Sequence, residues 1–227
     1  MTARAGSKRL PDKNIRPLCG HPLFVWSVKA ALAAASVSRI IVSTDSPYYR
    51  EIALKAGADC PWLRPPELAT DTTSSADVVA DMLDRLGDEL ARYRGLVLLQ
   101  PTSPLRVAAD IEAAIGLYEA RQAPAVVTVS EAECPPAWMG QLPADGCMDH
   151  FVQPQFRGIR SQDLGLWYRL NGAVYVIGID TFQREHGFMP TGTLGYVMPR
   201  ERSVDVDTAF DFQVANALMS ARAHRDT

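Results

Sequence analysis

Five cations crowd the first sixteen residues: Arg4, Lys8, Arg9, Lys13 and Arg16 stand against one acid, Asp12. Five charges against one make this segment +4 in a chain whose net charge is −3. Gly6 and Ser7 lie inside it and Pro11 stiffens it. A short glycine-containing loop can turn several backbone N–H groups toward one point, and nearby cations add charge there, which suits a triphosphate. A merely solvated basic terminus is the plainer account of the same residues. The G-x-x-x-x-G-K-[ST] pattern of a P-loop is absent. Far down the chain, Ser203-Val204-Asp205-Val206-Asp207 sets two carboxylates at i and i+2, so on a strand both point the same way. Two hard oxygen ligands on one face suit Mg²⁺, which also binds substrate phosphates; a strand end followed by a helix cap at Asp207-Thr208 is the plainer account. Gln100-Pro101-Thr102-Ser103-Pro104 follows an apolar run, where ligands of open α/β sheets bind, and is also good turn chemistry.

Elements able to position these residues alternate along the chain. Residues 39–44, 95–100, 124–130 and 172–179 are apolar or β-branched runs, the second without alternation, as in a strand buried on both faces. Between them lie helical patterns. One opens at Pro22 and runs to Ser36, and a second is capped by Asp45-Ser46-Pro47 and ends at Gly57. A third places Val78, Val79, Met82, Leu83, Leu86 and Leu90 on one stripe; a fourth spans 108–121 and a fifth 208–223. Alternating strands and helices predict an α/β fold, a Rossmann-like and mostly parallel sheet with helices on both faces.

Residues 131–169 break this rhythm with Pro135, Pro136, Pro143 and Pro154 and the aromatics Trp138, Phe151, Phe156, Trp167 and Tyr168. So long a loop is uncommon in a compact domain. It reads as an excursion with short strands of its own that contacts a second subunit, with a mobile lid as the alternative. The catalytic α/β domain is then 1–130 plus 170–227.

The 227 residues suffice for one good core and too few for two enzymes. Net acidity gives no argument for nucleic acid. Mean hydropathy of −0.06 and the lack of a long apolar run exclude a membrane span, and no apolar leader follows Met1. The expectation is a soluble, cytoplasmic protein. Cys19, Cys60, Cys134 and Cys147 form no CxxC pair, and His21, His150, His186 and His224 are equally dispersed, so zinc and disulfide frameworks are disfavoured.

Four blocks in order resemble the CMP-sialic acid synthetases, the acylneuraminate cytidylyltransferases that make CMP-activated nine-carbon sugar acids. They are A-R-A-G-S-K-R-L-P-D-K-N (3–14), L-R-P-P-E-L-A-T-D-T-T-S-S (63–75), L-L-Q-P-T-S-P-L-R (98–106) and R-S-V-D-V-D-T (202–208). A fifth, Y-R-L-N-G-A-V-Y-V (168–176), is similar to the family's sugar-side segment. The resemblance implies a nucleotidyltransferase fold of the GT-A-like kind and a homodimer joined through 131–169. It implies that Arg4, Ser7 and Lys8 hold the triphosphate, with Lys13 and Asn14 completing the loop. Arg64 and Ser75 would meet cytosine and the ribose surroundings, and Gln100 would lie between nucleotide and sugar. Asp205 and Asp207 would hold Mg²⁺ or Mn²⁺, while Arg160, Gln162, Arg169 and Asn171 would line the sugar side. Arg4, Lys8 and Asp207 carry the catalytic roles. Ser161-Gln162-Asp163-Leu164-Gly165 lacks the family's commoner proline after the leucine.

The implied reaction is CTP plus a 2-keto-3-deoxy sugar acid giving a CMP-sugar and pyrophosphate. Relatives acting on legionaminic, pseudaminic or Kdo-type acids are the nearest alternatives, with Asn171-Gly172 favouring a sialic-type acid over pseudaminic. A metal-dependent glycosyltransferase would also use Asp-x-Asp but needs no cradle for a γ-phosphate; a non-catalytic nucleotide-binding protein is the third reading. A nucleotide loop of this kind should follow a buried strand, and only Met1-Thr2-Ala3 precede Arg4. The expectation is that the natural chain starts further upstream, and that a sheet without that strand keeps an apolar slot.

Overall fold

Side-chain chemistry at the helix starts decides where the helices begin in the computed structural model, which describes residues 1–223. His224 lies outside the described residues. Helix α1 (Leu23–Leu32) follows Pro22 and buries Leu23, Phe24, Val25, Val28 and Ala31. It stops four residues short of Ser36, because the chain turns there and the Ser36 N–H and Oγ donate to the Glu112 carboxylate at 2.8 and 2.6 Å. Helix α2 (Pro47–Lys55) has Ser46 as cap, its Oγ accepting the Tyr49 N–H at 3.3 Å. Helix α3 (Ser75–Leu86) carries a full capping box between Ser74 and Asp77 and buries Val78, Val79, Met82 and Leu83. Gly87, at φ +50°, ends it, so Leu90 of the expected stripe sits in the 3₁₀ turn 87–92 that follows. Helices α4 (Ala108–Arg121), α5 (Ile179–Glu185) and α6 (Ala209–Ala223) complete the set.

A two-residue hairpin pair, β1 (Pro17–Leu18) and β2 (His21–Pro22), leads into α1. The main sheet has β3 (Gly95–Leu99), β4 (Ala125–Glu131), β5 (Tyr168–Gly178) and β6 (Leu194–Val197), in the order β3-β5-β4-β6. The α/β class stands, but this sheet is mixed rather than mostly parallel. Strand β5 runs antiparallel to both β3 and β4, and only β4 and β6 are parallel. The reason is the excursion. A chain that leaves the end of β4 and returns beside it without a crossover has to come back antiparallel. Strand β6 is four residues long and contains a glycine, too weak a pattern to be read from sequence.

Residues 39–44 pair only at single positions, Thr2 with Ser43 and Ile41 with Asp59, both parallel. Met1 to Ala3 run beside them: the Ser43 N–H donates to the Met1 carbonyl and the Ala3 N–H to the Ser43 carbonyl, each at 2.9 Å. Strand β3 is the other bank, an edge of the main sheet. Between the two lies an apolar cavity of about 190 Å³, lined by Val37, Ile41, Met82, Leu83, Leu96 and Val97 among others.

The excursion grows from a paired stem, Val129 opposite Leu170 and Glu131 opposite Tyr168. Beyond it the expected short strands are not formed: residues 132–167 hold only the 3₁₀ turns 136–138, 154–156 and 161–163. Their prolines lack N–H donors and break any ladder. No described helix is long and apolar enough to cross a membrane.

Candidate active site

Ala3 ends its pairing with Ser43, and the chain then rises into the basic loop at the sheet edge. The Ala5 N–H donates to Asp45 Oδ1 at 2.8 Å, and Gly6 takes φ +75°, a conformation that glycine adopts without strain. Asn14 fixes the far side of the loop: its Nδ2 donates to the Arg4 carbonyl at 2.9 Å, while its buried Oδ1 has no partner among the described residues. These contacts hold Arg4, Ser7, Lys8, Arg9 and Lys13 around a cavity of about 440 Å³.

Three other elements close this cavity. From the 60s segment comes Arg64, only 5% exposed, donating through Nε to Ser43 Oγ at 3.0 Å and through Nη2 to the Ser43 carbonyl at 2.7 Å. Burial lowers its pKa, so its charge is held at a cost. Thr73, Ser74 and Ser75 bring the start of α3, whose free N–H groups and dipole favour anions and electron-rich oxygens. Gln100 stands at the end of β3 and its Nε2 donates to Ser75 Oγ at 3.4 Å. Arg106, buried beneath, ties the Gln100 carbonyl (3.4 Å) to that of Ala173 (2.8 Å). The loop after β3 is thereby fastened to β5.

Carboxylates face these cations. Asp207 accepts from Arg9 Nη1 at 2.9 Å and Lys13 Nζ at 2.7 Å, and Asp71 accepts from Arg4 Nη2 at 2.6 Å and also from Lys8. Asp205 and Asp207 are not on a strand: residues 203–207 are irregular, anchored where the Val206 N–H donates to the Thr102 carbonyl at 2.8 Å. Asp205 is exposed, yet the surrounding protein strips part of its hydration. That desolvation raises its pKa, with Asp207 adding to the rise, against a hydrogen bond from Thr102 and the pull of Lys13 and Arg169. Among the described residues no three His, Cys, Asp or Glu side chains gather as a metal cluster. Two neighbouring carboxylates that repel one another, beside a cavity rich in cations, still suit a hard divalent cation whose remaining ligands are phosphate oxygens and water.

The residues of the sugar side divide. Gln162 lines a second cavity of about 360 Å³ together with Glu131, Glu133, Leu166, Trp167 and Arg200. Arg169 connects it to the carboxylates, donating to Glu133 at 3.0–3.2 Å and to the Ser203 carbonyl at 3.3 Å. Arg160 is on the surface of the excursion, paired with Asp163 at 3.2 Å, and lines neither cavity. Asn171 is 1% exposed and its groups are taken inside the protein. Its Oδ1 accepts from Thr128 Oγ1 at 2.6 Å and the Ala173 N–H at 3.1 Å; its Nδ2 donates to Ser203 Oγ at 3.0 Å. In this arrangement Asn171 positions β4 and the start of the carboxylate segment and does not face a cavity. Arg9 was legible as one of the five cations of the basic loop, but Asp71, Thr73, Ser74, Thr102 and Arg200 at the cavities were not legible as site residues. All of these but Arg200 lie in the motif blocks, and nothing in the sequence shows which member of a motif turns inward.

Residues 1–139 match the model of the cytidylyltransferase family, more than half of the chain. The chain belongs to the cytidylyltransferase family. It is 39% identical over 212 residues to an N-acylneuraminate cytidylyltransferase of Streptococcus agalactiae, covering 92% of this chain and 50% of that protein. It thus spans about half the length of the curated relatives it matches first. A CMP-N,N'-diacetyllegionaminic acid synthase of Legionella pneumophila is 34% identical over 224 residues, 96% of this chain and 93% of that one. In fold, the chain is similar to a solved CMP:2-keto-3-deoxy-manno-octonic acid synthetase complexed with CTP. That match has a TM-score of 0.72 at 17% identity and covers 97% of each chain.

Proposed function

We propose that this cytidylyltransferase transfers CMP from CTP to the anomeric hydroxyl of an N-acylneuraminate, a nine-carbon 2-keto-3-deoxy sugar acid, releasing pyrophosphate. The observation that carries the reading is the cation-lined cavity at the end of β3, with Asp207 reaching into it beside Asp205. The printed names of the family relatives add the nucleotide and the acceptor class.

The triphosphate lies against Arg4, Ser7, Lys8 and Lys13, with Asn14 holding the loop. Arg64, Ser75 and the start of α3 receive the cytosine and ribose. Gln100, whose amide can both donate and accept, orients groups between nucleotide and sugar. The acidic sugar enters from the second cavity, where Arg200 and Gln162 offer donors to its carboxylate and Arg169 stands behind the wall, bonded to Glu133. The sugar's C2 hydroxyl oxygen gives its proton to solvent and forms the new bond to the α-phosphorus as the bond from that phosphorus to the bridging oxygen breaks, and the pair of electrons leaves with pyrophosphate. Arg4 and Lys8 meet the charge that develops on the departing phosphates. A magnesium or manganese ion held by Asp205 and Asp207 would neutralise charge on phosphoryl oxygens.

A legionaminic-type acceptor is the second reading, supported by a relative that matches over nearly its whole length. The excursion exposes Trp138, Met139, Leu142, Met148, Leu166 and Trp167. This apolar surface supports a homodimer through residues 131–169, working in the cytoplasm where CTP is made. CTP-dependent pyrophosphate release with a panel of sugar acids tests the function. Release with N-acetylneuraminate above the others is the expected result, and none with any sugar acid would refute it.

A further inference from the structure

Asp71 lies in the loop before α3, at the mouth of the cation-lined cavity. One carboxylate oxygen takes Arg4 Nη2 at 2.6 Å and the other takes Lys8, the two cations that the proposed function gives to the departing phosphates. The Ala69 carbonyl meets Arg4 Nη1 at 3.5 Å, so the same loop supplies a second acceptor. Nothing buries this bridge. Asp71 is 42% and Lys8 78% exposed, so opening it uncovers no core. Lys8 first and Arg4 second hold the Asp71 carboxyl below the usual range, which keeps it an anion wherever the enzyme could work. Asp207 contrasts with it: also a carboxylate paired with two loop cations, it has Asp205 as a neighbour and so a second use.

We propose that Asp71 is an exchangeable counter-carboxylate, competing with the outer phosphates of the nucleotide for Arg4 and Lys8 and reclaiming both when pyrophosphate leaves. This rests on the reading of the cavity as a triphosphate site and adds the residue that limits how tightly it holds β- and γ-phosphates. A carboxylate must be displaced before a phosphate can take its place, and it repels phosphate while it stays near. Exposed ion pairs are weak, so the competition is worth about three- to tenfold in affinity. Ligands without outer phosphates do not meet it.

The test uses the full chain with Mg²⁺ present and measures binding of pyrophosphate, CTP and CMP by calorimetry. Asp71→Asn should tighten pyrophosphate and CTP by about three- to tenfold and leave CMP unchanged, with a matching fall in the CTP KM and stronger inhibition by pyrophosphate. Asp71→Ser, which removes the carboxylate with a different side chain, should do the same. Pyrophosphate binding that is unchanged or weaker in both variants overturns the proposal, the weaker result meaning that Asp71 orients the two cations for phosphate. Arg4→Ala separates the two levels. If it weakens pyrophosphate binding while the Asp71 variants fail to tighten it, only the counter-carboxylate is rejected. If Arg4→Ala leaves pyrophosphate binding intact, the phosphate site itself is misplaced and both readings fall.

Discussion

The two cavities are built in opposite ways. The cation-lined one is walled by the ends of regular elements: the start of α3 with its capping box, the end of β3, and a loop pinned by Asn14 and Asp45. The second is walled by residues 131–135 and 162–167, where the chain leaves the β4–β5 stem and turns through 3₁₀ pieces with prolines. Regular elements fix their side chains through many shared hydrogen bonds, so changing one wall disturbs the others. The excursion has no sheet or helix to lose. Under the proposed function such a segment can change without unseating the nucleotide, because it joins the scaffold through the β4–β5 stem and through Arg169, which bonds Glu133 and the Ser203 carbonyl. Under the proposed function the difference is a division of labour: phosphate chemistry on the scaffold, acceptor choice on the appendage.

The sharpest way to break this division is at the carboxylates. Asp207→Ala should lower turnover by about 10²- to 10³-fold, the usual scale for losing one preorganised electrostatic contact, with the fold intact. Turnover within twofold of the unmodified protein at saturating Mg²⁺ would remove Asp207 from the chemistry. Asn171→Ala comes next. Leaving Thr128, Ser203 and a buried backbone N–H without their partner should cost about 1–3 kcal/mol in urea unfolding. An unchanged midpoint would return Asn171 to direct contact with the sugar.

The appendage offers two smaller effects. Light scattering should give about twice the chain mass of 24.8 kDa, and charging the exposed excursion with Met139→Glu and Leu166→Glu should halve it. A single-chain mass for the unmodified protein would make the excursion a lid. On the scaffold side, His186 first and Ser74 second hold the Asp77 carboxyl of the α3 cap below its usual 3.8. A depressed carboxylate pKa contributes stability that is full above the ordinary value and is lost as pH falls through the folded one. Hydrogen exchange at the start of α3 should therefore quicken below about pH 4, and Asp77→Asn should remove that pH dependence. Exchange equally pH-dependent in the variant would assign the effect elsewhere.

Much of the scaffold side can be read along the chain because its information is local. Ser46-Pro47 and Ser74 with Asp77 cap helices through contacts three residues apart, the apolar run 95–99 forms a strand, though an edge one with residues 95–97 only half-buried, and five cations in sixteen residues gather in one loop. The local order of such residues already limits what they can form. The rest depends on residues far apart in sequence. Strand β5 is antiparallel because its chain returns from an excursion; a mostly parallel sheet is the natural expectation from strand and helix alternation alone. Asn171 and Arg160 look alike as polar members of one segment, yet one is enclosed by Thr128, Ser203 and Met198 and the other faces water. Asp71 meets Arg4 across 67 residues, and Arg202 holds the buried Asp110 across 92. Residue type and spacing determined that this chain carries a basic loop and a carboxylate pair on an α/β frame. Which carboxylate faces which cation was decided by tertiary packing, since Coulomb attraction acts on distance in space and the sequence specifies only distance along the chain.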